Sequence, residues 1–239
     1  WTTLSGAAFL GAEWLLARLG SGLHFVCDYE RDSFAAKIGI GRLPHAVVHN
    51  GLWPEEFTMI ATEPDAADVV FIGDMRRLKG VDVLIEALAL CNRTRRTTAL
   101  LVGDGPDMEM FKRQANTLGL DGLVTFPGRM TAGQAFRLGR LLVLPSRAES
   151  FPYVVLEACA AGKPLIASDA GGISEILEKL HLVPPGDAGL LVGRISSVLA
   201  NPAGMAERAL AIRDSVRRKF SAEAMVSGVV ALYRQVQPN

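Results

Sequence analysis

From Asp68 onward, apolar residues come in short blocks of four to six. These blocks alternate with longer stretches in which apolar positions recur every three or four residues. The blocks VVFIG, TALLVG, LVTFPG, LLVLP, PLIAS and HLVP read as buried strands. Between them, GVDVLIEALALC, PDMEMFKRQANTLG, TAGQAFRLG, PYVVLEACAAG and GISEILEKL read as helices. Strand and helix in regular alternation predict right-handed crossovers and a doubly wound parallel sheet covered on both faces, an α/β fold. Thr131 and Gln134 predict a capping box at one helix start. A helix over about 186–199 and two more within 203–236, broken near Phe220 and Ser221, give a helical C-terminal tail.

The first 65 residues follow a different pattern: a helix over AAFLGAEWLLARL, a strand LHFVC, a helix DSFAAKIG and a strand HAVVH. These pieces are too few to close a sheet alone. The first helix is expected to be amphipathic and packed on a core, since Glu13 and Arg18 interrupt its apolar run. Residues 51–64 contain Pro and Glu, are weakly periodic, and suit an interdomain linker. The chain opens with Trp1 and shows no signal-peptide pattern, which suggests a piece of a longer protein.

Composition narrows the chemistry. Twenty-five basic and 25 acidic residues leave no net charge, and no basic block supports nucleic-acid binding. No uncharged apolar run reaches the ~18 residues of a membrane span. Cys27, Cys91 and Cys159 are odd in number and widely spaced, as expected of small buried residues in a reducing compartment. The four histidines form no metal-ligand pattern; His45 and His49 share a strand face with no third ligand evident.

Candidate chemistry gathers where the predicted strands end. In PSRAESFPYVVLEACAAG, Glu149 precedes a helix that Pro152 opens, and Glu157 falls on its second turn. The helix start between them offers free N–H groups and a positive dipole end, suited to an anion flanked by hydroxyl groups. The same spacing also suits two solvated glutamates on a surface helix. In FIGDMRRLKG, Arg76, Arg77 and Lys79 follow the strand that ends at Gly73, as a diphosphate clamp or a solvated basic loop. LLVGDGPDM has Met108 where a dinucleotide fingerprint needs its third glycine, so NAD binding there is rejected. Gly171 and Gly172 allow close approach of a ligand or simply a tight turn. These loops, with that at 128–130, share one sheet edge, and that convergence favours an anion site.

The segments GDMRRLKGVDVLIEAL, LLVGDGP, VTFPGRM, PSRAESFPYVVLEACAAGKPLIASDAGGISEI and LVPPGD, in that order, resemble retaining GT-B glycosyltransferases of family GT4. The resemblance implies a Rossmann-like half of a GT-B fold over residues 65–219, binding the donor. It implies a remnant of the N-terminal acceptor domain with linker over 1–64, and a final segment, 220–239, crossing back to that domain. Glu149 then contacts the transferred sugar and Glu157 the nucleotide ribose. Phe151, Pro152 and Val154 lie on the loop and helix start facing the donor. Proline stands where the family often has glycine, which removes one N–H. Lys79 holds the diphosphate. The family's arginine directly after the glycine is Asp74 here, so Arg76, with Arg77 second, takes its place beside Gly73. Arg129 and Met130 fall where the base is held.

The implied activity is transfer of a sugar, with retention, from a nucleoside-diphosphate sugar to a saccharide or lipid-linked acceptor. No cofactor or metal is expected. The implied location is cytoplasmic, at the inner membrane face if the acceptor is lipid-linked. The alternatives are a GT-B-shaped nucleotide-sugar epimerase, and a nucleotide-binding module that is inactive in isolation.

Overall fold

A computed structural model describes residues 4–237, with side chains from residue 8; Trp1 lies outside them. The chain begins with α1 (Leu4–Leu19), β1 (Leu23–Phe25), α2 (Asp28–Lys37) and β2 (His45–Val47). It continues through β3 (Ala67–Ile72), α3 (Val81–Cys91), β4 (Ala99–Val102), α4 (Met108–Thr117), β5 (Val124–Gly128), α5 (Ala132–Leu138), β6 (Gly139–Leu144) and α6 (Tyr153–Ala160). The last elements are β7 (Leu165–Ser168), α7 (Ile173–Ile176), β8 (Leu182–Val183), α8 (Ala188–Ala200), α9 (Pro202–Lys219) and α10 (Ala222–Val236).

β3 to β8 form one parallel sheet in the order β5-β4-β3-β6-β7-β8. The chain winds outward from β3 to β5, returns to place β6 beside β3, and then winds the other way. Val69 pairs in register with Leu141 and Val70 with Leu142, and all four are fully buried. Both sheet faces are covered, which is why these strands read as continuous apolar blocks. α3 packs with α4 and α8, and α6 with α5 and α9. Thr131 and Gln134 form the expected capping box, while Asp187, Asn201 and Ser221 cap α8, α9 and α10.

β1 and β2 pair in parallel as a separate two-stranded sheet, and α10 packs against β2. Leu52 stitches the two ends of the chain together: its N–H donates to Phe220 O at 3.0 Å, and its carbonyl accepts from Ala222 N at 2.9 Å. Residues 51–64 are tied down along their length. Arg213 Nη2 donates to Phe57 O at 2.7 Å, Ile60 N to Ala161 O at 3.1 Å, and Glu63 N to Arg137 O at 2.9 Å. Lys163, 1 % exposed, donates to Thr62 Oγ1 at 2.7 Å and Gly139 O at 2.8 Å, with no acid as partner among the described residues.

Three expectations need correction. GISEILEKL is not one helix. α7 makes a single turn and ends at Leu177, whose extended backbone turns a buried side chain into the core before β8 must begin. α1 is not packed on a core along an apolar face: Trp14, Leu15, Leu16 and Leu19 are 45–74 % exposed, and Ala17 is buried. Its apolar residues run around the helix, so no single stripe is available to bury. Pro152 sits one residue before α6 in extended conformation, because its ring suits the entry to the helix as well as the first turn. Among the described residues, no helix is long and apolar enough to cross a membrane.

Two predictions follow from the packing. Gly80 has φ +70°, and a Cβ there would lie 1.9 Å from Pro145 O, whereas Gly119 has φ +71° with nothing within 4 Å. Gly119→Ala should therefore lose about 1 kcal/mol and Gly80→Ala more than about 3 kcal/mol, read from denaturant midpoints. Burial pushes the Lys163 ammonium down from 10.5 to about 8. Between those values the unfolded chain holds the proton and the folded chain does not, so stability rises with pH through that window. The contribution is complete above the upper value and is lost as pH falls through about 8. Wild type minus Lys163→Met, measured by urea unfolding from pH 7 to 10.5, should show a rise of up to about 3 kcal/mol.

Candidate functional site

The site lies where the sheet reverses direction. In an open parallel sheet the loops leaving two adjacent strands on opposite sides of the reversal part and leave a crevice at the carboxyl edge. Here those strands are β3 and β6, and their loops carry Lys79 and Glu149. The loop after β3 makes a single 3-10 turn over Arg77–Lys79 and closes at Gly80 against Pro145, the residue after β6. That contact brings together two side chains 70 positions apart. Lys79 Nζ donates to both oxygens of Glu149, at 2.8 and 2.9 Å. Ser146 Oγ donates to Glu149 Oε1 at 2.7 Å. The pair is largely sheltered, with side-chain exposures of 27 % for Lys79 and 12 % for Glu149.

Arg147 braces the same junction. Its guanidinium grips Asp82, in the first turn of α3, at 2.6 and 2.8 Å, and its other contacts are the carbonyls of Arg77 and Leu78. Arg77 itself is exposed and leans toward Asp82 at 3.8 Å. Arg76 is exposed, and Gly73 N–H is taken by Val102 O at 3.0 Å. Arg129 is 79 % exposed and 3.9 Å from Asp104, while the half-buried Met130 packs on the core. Of the basic residues singled out from the sequence, Lys79 alone meets Glu149.

Behind Glu149 the chain enters α6. Phe151 is buried, and its ring lies 4.9 Å from His49 and 5.3 Å from Phe220. Its carbonyl accepts from Asn50 Nδ2 at 2.9 Å, so its side chain is an anchor and its backbone carries the loop. The first-turn amides at Tyr153 and Val154 lie beyond intrahelical pairing. Glu157, on the second turn, is half-buried and has no hydrogen-bond donor among the described residues. Burial, with Glu56 nearby, pushes its carboxyl above the usual range. Its surroundings therefore differ from those of Glu149, which has a cation and a hydroxyl.

Gly171 and Gly172 face the chain's own loop. A Cβ on Gly171 (φ +61°) would lie 1.8 Å from Glu149 O, and Gly172 N–H donates to Ser150 O at 2.7 Å. The close approach anticipated for a ligand is made by the carbonyls beside Glu149. His49 has neighbours that its sequence position does not reveal. Asp28, His49 and Glu175 bring one ligand atom each within 4.8 Å of one another. Glu175 is already engaged by Asp28 N, Tyr29 N and His49 Nε2, so the cluster is a hydrogen-bonded knot. His45, exposed, contacts Leu43 O instead. The three cysteines are buried and free, and burial pushes Cys27 and Cys159 up to about 11 and about 12, as for unreactive thiols.

Sequence reasoning missed Ser146, Arg147, Asn50 and Glu175. Ser146 and Arg147 stand within PSRAES, where hydrogen-bonding side chains directly after a buried strand were a usable signal. Asn50 and Glu175 act across more than 100 positions and gave none.

Comparison with known proteins agrees with this architecture. Glycogen synthase of Mycobacterium tuberculosis is 29 % identical over 225 residues, covering 87 % of this chain and 54 % of that protein. The D-inositol 3-phosphate glycosyltransferase of Gordonia bronchialis is 34 % identical over 172 residues, covering 66 % and 35 %. The chain thus spans about half or less of the length of these two relatives. Among solved structures, sucrose-phosphate synthase from Thermosynechococcus elongatus superposes with a TM-score of 0.86 at 24 % identity, covering 99 % of this chain and 64 % of that one. Anabaena HepE in complex with UDP and glucose gives 0.86 at 24 %, covering 95 % and 66 %. Residues 66–201, more than half of the chain, match the family described as glycosyl transferases group 1, and the chain belongs to that family.

Proposed function

We propose that this chain supplies the donor-binding part of a retaining glycosyltransferase. It moves a sugar from a nucleoside-diphosphate sugar, with uridine as the base, to a saccharide or lipid-linked acceptor. The observation that carries this reading is the Lys79–Glu149 contact at the sheet reversal, beside the start of α6. The base is suggested by HepE, which was solved with UDP. The named relatives are a synthase and a glycosyltransferase, which favours transfer over epimerisation.

The chemistry follows from charge. As the glycosidic bond breaks, negative charge grows on the departing diphosphate. Lys79, with Arg76 and the first amides of α6, supplies positive potential where that charge develops. Arg77, drawn toward Asp82, is left a minor part. This set of groups makes a metal unnecessary to the step. Without donor, Lys79 is held by Glu149; an arriving diphosphate takes Lys79 over and frees the carboxylate to accept from sugar hydroxyls. Glu157, half-buried without a donor, is completed by the ribose hydroxyls. Gly73, Arg129 and Met130 border the base, and Phe151, Pro152 and Val154 present the loop backbone.

Retention is assigned to attack from the face of departure. A double displacement needs a free carboxylate nucleophile with a second carboxyl about 5 Å away. Glu149 is instead bound by an ammonium and a hydroxyl, and Glu157 lies in separate surroundings. The acceptor is bound by parts of the protein that face this edge, so residues 1–239 alone are expected to bind nucleotide without turning over.

Calorimetric titration with UDP, GDP and ADP, without metal and then with magnesium, tests the reading. UDP should bind without metal. Lys79→Ala should weaken it roughly 10- to 100-fold, the worth of a charged hydrogen bond. Glu149→Gln should tighten it several-fold, because Lys79 loses its competing partner. Unchanged UDP affinity in Lys79→Ala would exclude the clamp.

A further inference from the structure

We infer that Glu175 is a positioning residue: it holds the N-terminal part of the chain against the loop that carries Glu149, so that the two walls of the cleft keep one geometry. The inference rests on the reading of Glu149 as part of the donor site.

α2 starts without a cap of its own. Cys27 stands at its N-cap position and makes no side-chain hydrogen bond to the helix. A helix start leaves amides that need acceptors, and Ser, Thr, Asp or Asn normally supplies one from the cap position. Here Glu175 supplies both from 146 and 147 positions away: Oε1 accepts from Tyr29 N at 2.9 Å and Oε2 from Asp28 N at 3.0 Å. His49 Nε2 adds a third bond to Oε2 at 3.0 Å. A carboxylate at a helix N-terminus also gains from the helix dipole.

The same segment holds the loop beside Glu149 from the other side. Gly172 N–H donates to Ser150 O, and Cys27 Sγ contacts that same carbonyl at 3.6 Å. Cys27 also fills the space next to Gly172, where a Cβ would meet its sulfur at 2.8 Å. His49, the third donor, lies tilted against Phe151 and touches Phe220 edge-on at 5.4 Å. Glu175 therefore bonds α2 and His49 directly, and through the His49 ring it reaches Phe151 of the 149–151 loop and Phe220 ahead of α10. Burial raises its carboxyl, but the bonds from Tyr29, His49 and Asp28 outweigh this and bring it below the usual range, which keeps it ionised for all three.

The test is residue-resolved amide exchange by NMR on wild type, Glu175→Ala, Glu175→Gln and His49→Gln, with UDP titration of each. In Glu175→Ala, exchange should quicken about tenfold or more at Asp28 and Tyr29, and also at Gly172, whose partner is Ser150 O. Glu175→Gln, which keeps one acceptor oxygen, should restore part of the protection. Amides of β3 and β6 should keep wild-type rates, which reports an intact fold. If Glu175→Ala fails to fold, Glu175→Gln, which keeps one acceptor oxygen and leaves the His49 ring in place, decides through the Gly172 amide alone. Faster exchange at residues 28 and 29 with Gly172 unchanged would make Glu175 a helix cap only and overturn the inference. The UDP arm separates the two claims. If wild type binds no nucleoside diphosphate, the donor-site reading fails, and the Gly172 amide still decides whether Glu175 positions the loop.

Discussion

Everything at the candidate site depends on β3 and β6 lying side by side. Val69, Val70, Leu141 and Leu142 meet in register with no exposed surface, so any displacement of one strand from the other would open the centre of the core. The chain reaches β6 only after building β4 and β5 on the far side of β3, so the loops after β3 and β6 leave the sheet in opposite directions. A crevice between them is a consequence of the winding. The residues that fill it can vary while the crevice remains.

That constraint explains which features were legible. Strands buried on both faces announce themselves as apolar blocks; all six strands were readable, including the edge strand β5, where Thr125 and Pro127 are exposed. So were the breaks at Phe220 and Ser221 and the capping box at Thr131, because each depends on residues a few positions apart. Reading went wrong where tertiary packing overrides local pattern. α7 stops after one turn because Leu177 is needed in the core, and nothing in GISEILEKL marks that demand. The glycines at 171 and 172 were visible as a place of close approach, but the partner, a carbonyl beside Glu149, comes from another loop. Glu149, Glu157 and Lys79 could be singled out individually; that Lys79 and Glu149 touch follows only from the strand order.

The family resemblance and the physical reading supply different things. The resemblance gave roles to positions, and residues 66–201 do belong to glycosyl transferases group 1. It could not say how those positions are held. The structure answers with backbone contacts that leave no room for side chains: Gly80 lies on Pro145, and Gly171 lies on Glu149. Lys79 is thus anchored one residue away, at Gly80, and Glu149 at its own carbonyl, through main chain. Their side chains stay free to change partners while their backbones do not move. Were the Lys79–Glu149 pair to give way to a ligand, as proposed above, the exchange would need this division between fixed backbone and mobile charge.

The same division extends to the chain's two ends. The N-terminal elements and α10 are joined by the Leu52 bridge and by the rings of His49, Phe151 and Phe220. Phe151 belongs both to this aromatic group and to the loop that leads into α6, so the loop is gripped from outside the sheet as well as from within it. Motion of the N-terminal elements relative to the sheet therefore reaches Glu149 by two routes, the rings around Phe151 and the hydrogen bonds of Glu175. Neither route passes through the buried core of the sheet. The core can stay rigid while the edge that carries Glu149 follows the N-terminal elements.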